Sequence, residues 1–195
     1  MALTLAVRRS LSTFSLAAGF NLDLPFRRNP IRDAADHAYG QVVEQSRRTE
    51  FFTALGVPDT LDGRFELICL HAFLYLRRLK GEKEPAASLS QRFFDTMFAD
   101  FDRSLREIGV GDLSVGRQIN RMAEAFYGRV RAYEDGLAGD DEALAGALAR
   151  NLYGTAPASA ELLAHVAGYV RREVASLAGQ APASLLAGTV AFGAP

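Results

Sequence analysis

The sequence predicts an all-α protein, a single compact bundle of about six or seven helices around a central buried one. Three observations carry that prediction. Apolar residues recur at steps of three and four through most of the chain, and prolines, glycines and capping residues punctuate the pattern. No stretch alternates in the way a half-buried strand requires, and no internal repeat is present. With 195 residues, 49% hydrophobic and 23% charged, the chain has the composition of a folded domain and enough length to bury a core without a staple. Its single cysteine, Cys69, can form neither an internal disulfide nor a cysteine-based zinc site.

Asn29 and Pro30 supply an N-cap and a first-turn proline for a helix to about Arg48, with Ile31, Ala35, Ala38, Tyr39 and Val42 or Val43 inward. A short helix over 50–55 stops at Gly56. The next, centred on Phe65–Leu76, is apolar almost all round except for Glu66 and His71. That run is too short for a bilayer, which needs about 20 residues, so it is the buried centre of the bundle. Gly81 ends it. Ser88 and Gln91 form a capping-box pattern for a helix to Ile108, whose stripe is Phe94, Met97, Phe98, Phe101, Leu105 and Ile108. Asp112 is placed to cap the longest helix, Leu113 to about Leu137, and two more fit 141–151 and 160–178. Residues 180–195, rich in Ala, Gly and Pro and uncharged, are expected to fray. The bundle domain is therefore 30–179.

Charge divides the chain differently. Its net charge of −1 and isoelectric point near 6.3 argue against direct DNA binding. Residues 1–32 nevertheless carry five arginines against one aspartate, while the rest of the chain carries 17 basic and 22 acidic side chains. Residues 1–29 thus read as a basic arm, flexible or lying on a membrane surface, with Arg8, Arg9, Arg27 and Arg28 as the membrane-contact candidates.

No constellation in the sequence asks for catalysis, a metal or a cofactor. Asp95 and Asp102 share a helical face, but Asp102 has Arg106 four residues on and Arg103 has Glu107, which reads as a solvated charged face. The two E-x-x-H pairs of a di-iron bundle and a serine elbow are absent from the sequence. His71 reads as a hydrogen-bonded core histidine and Cys69 as an inert core thiol. The glycines of 109–116 lack the preceding strand of a phosphate loop, so they stop one helix and start the next.

Three strings stand apart: VPDTLDGRF at 57–65, FDTMFADFDRSLREIGVGDL at 94–113 and AFYGR at 125–129. In them the chain resembles the ubiquinol–cytochrome c chaperone family, over about residues 36–178. The resemblance implies an all-helical, non-enzymatic assembly factor for the cytochrome bc complex that assists newly made cytochrome b. In mitochondrial members this takes place near the ribosome and at the inner membrane, and the short amino-terminal segment here points to a bacterial member. The implied partners are cytochrome b or another bc complex subunit, with the ribosome or a helper protein as further contacts. The implied place is the cytoplasm, peripheral to the inner face of the cytoplasmic membrane, or the matrix side in a eukaryote. A helical adaptor that never touches cytochrome b is the alternative. Partner-binding candidates are the polar residues concentrated in the strings: Asp59, Asp62, Arg64, Asp95, Asp102, Arg103, Arg106, Glu107, Asp112, Tyr127 and Arg129. Each has a structural reading beside it, since Asp59 and Asp112 could cap helices and Arg64 and Arg129 could bridge them.

Overall fold

The computed structural model describes residues 29–154 and 156–195, and the basic arm, with Arg8, Arg9, Arg27 and Arg28, lies outside them. Among the described residues there are eight helices and no strand: α1 Pro30–Ser46, α2 Thr49–Thr53, α3 Leu61–Leu79, α4 Ala86–Glu107, α5 Asp112–Ala138, α6 Asp141–Asn151, α7 Ala160–Gly179 and α8 Pro182–Leu186. Helix α3 is the centre. From Leu67 to Tyr75 every side chain but that of Ile68 is buried, because α1, α4, α5 and α7 all pack against it. The outer helices follow one another round it, α1 on α4, α4 on α5, α5 on α6 and α6 on α7. Only α7 and α1 do not pack closely together, and that seam is filled by something else.

The starts of the helices follow the sequence where a short polar side chain meets a free backbone N–H. Asn29 accepts from the Arg32 amide at 3.2 Å, Thr60 from Gly63 at 3.1 Å, Asp140 from Ala143 at 2.9 Å and Ser159 from Leu162 at 3.2 Å. Two expected caps are not made. Helix α4 begins earlier than the Ser88 and Gln91 pattern indicates, at Ala86, and those side chains bond Glu84 and Asp95 instead. The N-cap of α5 is Gly111, while Asp112 lies inside the first turn and is drawn to Arg106.

Two further expectations need correction. Ile108, assigned to the apolar stripe of α4, is 59% exposed, because the helix ends at Glu107 and the chain turns away. The segment expected to fray does not. After α7 the chain forms α8, buries Leu185 and Val190, and lays residues 189–193 into the seam between α1 and α7. Composition misleads there because the segment is held through its backbone, which composition does not describe.

Candidate interaction surface

Glu66 enters the core on the second turn of α3, and a carboxylate there needs a partner. It is 7% exposed. Arg129 of α5 supplies that partner, donating through Nε and Nη2 to the two carboxylate oxygens. Burial raises the Glu66 pKa and the guanidinium opposes the rise. The guanidinium also lies 5.4 Å from the centre of the Phe65 ring, so the cation has an aromatic face as well as an anion.

This pair forms the back wall of a cavity of about 440 Å³ lined by Leu61, Asp62, Leu105, Arg121 and Arg129 among others. Exposed ion pairs lie at the neighbouring helix ends. Asp59 accepts from Arg64 at 2.7 Å, and Arg64 also stands over the Phe52 ring at 5.7 Å. Arg106 bridges the end of α4 to the start of α5, donating to Asp102 at 2.7 Å and to Asp112. Arg103 pairs with Asp100 rather than with Glu107, because the three-residue step brings that carboxylate nearer. Such exposed pairs add little stability, about 0–1 kcal/mol each.

Large apolar side chains are exposed in the same region. Leu61 is 62% and Leu113 93% exposed, and Ile108 stands between them in sequence at the α4–α5 turn. One end of the bundle thus presents isolated leucine and isoleucine side chains among ion pairs. The strings VPDTLDGRF, the latter half of FDTMFADFDRSLREIGVGDL and Arg129 converge there from α3, α4 and α5.

Asp95 and Tyr127 do not join that end. Asp95 accepts from Gln91 at 2.8 Å. Tyr127 stacks on Phe94, ring centres 5.6 Å apart, beside an apolar groove of about 400 Å³ that also takes in Leu76, Phe126 and Val130. Burial and the nearby Asp95 charge raise the Tyr127 pKa.

On the opposite side of α3 lies a polar network of a different kind. Ser46 Oγ donates to the Val42 carbonyl at 2.7 Å, which leaves it to accept from His71 Nδ1, 3.0 Å away; the same nitrogen is 2.8 Å from the Leu67 carbonyl. His71 Nδ1 therefore carries the proton. Nε2, 2.8 Å from the Tyr169 hydroxyl, accepts from it, and that hydroxyl accepts from Gln45 at 2.9 Å. Burial pushes the His71 pKa down to about 4, against the pull of the Leu67 carbonyl. Both ring nitrogens of His71 and the Tyr169 hydroxyl thus have partners. Cys69 is fully buried and its pKa is raised by burial, leaving it a thiol.

Among the described residues, no group of three His, Cys, Asp or Glu side chains could hold a metal ion. No helix among them is long and apolar enough to cross a membrane. A family model described as ubiquinol-cytochrome C chaperone matches residues 53–192.

The chain belongs to that family. A Xenopus laevis relative named ubiquinol-cytochrome-c reductase complex assembly factor 1 is 31% identical over 159 residues, covering 80% of this chain and 78% of the relative. The mouse protein of the same name is 28% identical, and the match spans 81% of this chain but 54% of the mouse protein. Among solved structures, one titled the Cbp3 homolog from Brucella abortus is 32% identical, with a TM-score of 0.76, over 100% of this chain and 97% of that one. The all-helical architecture is thus shared with a solved structure of similar sequence.

Within this family fold, sequence reasoning missed Glu66 as the partner of Arg129, and it missed the exposed Leu61 and Leu113. The first had a signal. A carboxylate inside an apolar helix requires a cation from another element. The leucines had none, since each occupies a helical position that fits an inward face as well as an outward one.

Proposed function

We propose that this chain is an assembly factor for ubiquinol–cytochrome c reductase that holds newly made cytochrome b, or another subunit of the bc complex, through protein contacts and does no chemistry on it. One observation carries the reading: the family-like strings converge from three helices on the end where Leu61, Ile108 and Leu113 are exposed. A partner rich in apolar surface needs apolar anchors. A carrier that must stay soluble needs those anchors separated by charge, so that no large continuous patch forms. The ion pairs of Arg64 and Arg106 stand beside these side chains in the sequence and supply that charge. Asp59, Asp62, Asp102, Arg103, Glu107 and Asp112 form the polar rim of the contact.

The test is a pull-down with the tagged chain from cells making the bc complex, scored for cytochrome b and for ribosomal proteins. The wild type should recover cytochrome b, and a Leu61→Ser/Leu113→Ser variant should recover several-fold less. Equal recovery by both would remove this end from the proposal. A tagged chain that brings down other proteins but no bc subunit would favour the adaptor reading. Peripheral membrane contact through Arg8, Arg9, Arg27 and Arg28 is part of the same proposal, supported by the charge of residues 1–32. Liposome flotation of the full chain against a chain starting at residue 33 tests it, and equal flotation would count against the arm.

A further inference from the structure

The seam between α1 and α7 is filled by residues 189–193, and the way it holds them has the form of a binding site. Gln41 accepts from the Val190 amide at 2.6 Å. Gln180 grips Ala191 at both ends, donating to its carbonyl at 2.6 Å and accepting from its amide at 3.1 Å. Gly193 is gripped likewise: its amide donates to the Glu173 carboxylate at 3.1 Å and its carbonyl accepts from Gln45 at 2.8 Å. All five groups gripped belong to the backbone. Side chains from α1, from α7 and from Gln180, which caps α7, thus satisfy an extended segment as a neighbouring strand would.

Only two side chains of the segment enter the groove. Val190 is buried, and Phe192 sets its ring against His71, ring centres 5.2 Å apart and nearly perpendicular. Phe51 meets the same imidazole at 5.2 Å, so the aromatic anchor extends a stack that exists without it. The glycines mark close approach. A Cβ on Gly188, whose φ is +81°, would lie 2.1 Å from the Ala34 carbonyl oxygen, and one on Gly193 would lie 2.6 Å from a Glu173 oxygen. From Val174 to Pro195 there is no charged side chain.

We propose that this seam is a binding groove for an uncharged, extended segment of a partner polypeptide, one with an apolar and an aromatic residue two positions apart, and that residues 189–193 occupy it in cis. A groove that reads backbone and two apolar side chains is tolerant of sequence, and its occupant here defines the class it accepts. The segment follows a one-turn helix and leaves Thr189 and Ala191 exposed; exchange with a partner requires it to open without unfolding the helices beneath. The inference goes beyond the assembly role and stands without it, since its test contains no bc complex component.

The test uses the full chain and a fluorescein-labelled peptide, Thr189–Pro195, followed by anisotropy. A cis segment competes with the peptide, so weakening its anchor with Phe192→Ala should tighten peptide binding by about tenfold or more relative to the wild type. Adding Gln180→Ala should abolish that gain, and a peptide with Asp in place of Phe192 should not bind. A folded F192A chain that binds the peptide no better than the wild type overturns the proposal. Should F192A fail to fold, hydrogen exchange on the wild type decides: the amides of Val190, Ala191 and Gly193 should open independently of those of α3 and lose protection with excess peptide. Exchange only together with α3 overturns it, as does a dimer in which the segment crosses to a second copy.

Discussion

Helix α3 has two sides that are held by different physics. Toward α1 and α7, His71, Ser46, Tyr169 and Gln45 form a neutral hydrogen-bonded network. Toward α5, Glu66 and Arg129 form an ion pair, and the nearby Tyr133 hydroxyl is buried with no hydrogen-bond partner among the described residues. The network on the first side carries no charge, whereas the second side buries an ion pair, which also lines a cavity, and an unpaired hydroxyl. A neutral hydrogen-bonded network and a buried ion pair thus hold opposite sides of one helix.

The comparison can be broken most forcefully on the charged side. Arg129→Ala leaves Glu66 buried without its cation and should cost about 3–5 kcal/mol in urea denaturation. Glu66→Leu/Arg129→Met removes both charges and should recover most of that loss. A double variant as unstable as the single one would mean that packing, not charge, holds α5 to α3.

On the neutral side the lever is pH. His71 has its pKa lowered from 6.5 to about 4, so the unfolded chain takes the proton first as pH falls. Stability should therefore drop between pH 6.5 and 4, by about 3 kcal/mol at most for a shift of this size. Glu66 and Glu173 act in the opposite sense, because burial raises both. The histidine contribution is accordingly the difference between the wild type and His71→Gln, whose pH profile should be flatter.

A smaller effect separates two buried tyrosines. Tyr169→Phe strands His71 Nε2 and removes one of the two bonds of the Gln45 amide, and should cost about 1–3 kcal/mol. Tyr133→Phe strands nothing and should stay within about 0.5 kcal/mol of the wild type. Equal losses would erase the distinction between the two sides. The smallest stability effect belongs to Leu113→Ser, expected within about 0.5 kcal/mol in thermal melts since the side chain is 93% exposed. Its consequence should appear in recovery of the partner.

The bundle and its central helix were legible because helical periodicity is local and α3 is apolar on every side. Long-range pairing was not. Glu66 and Arg129 lie 63 residues apart, and nothing in either neighbourhood names the other. Asp112 shows how local chemistry misleads: it has the side chain of a cap, yet Gly111 takes the cap position and the carboxylate turns to Arg106. Of the candidate residues, Asp59, Asp62, Arg64, Asp102, Arg106 and Asp112 come together because they flank the ends of three adjacent helices. Asp95 and Tyr127 lie away from those ends, Asp95 bonded to Gln91 and Tyr127 lining another groove.

Residues 189–193 also bear on how the molecule is made. The contact between Gln45 and Gly193 spans 148 residues of chain, and closing so long a loop is entropically unfavourable until the helices between have formed. The seam thus depends on helices formed elsewhere in the chain, and until it closes the stack above His71 stands without Phe192.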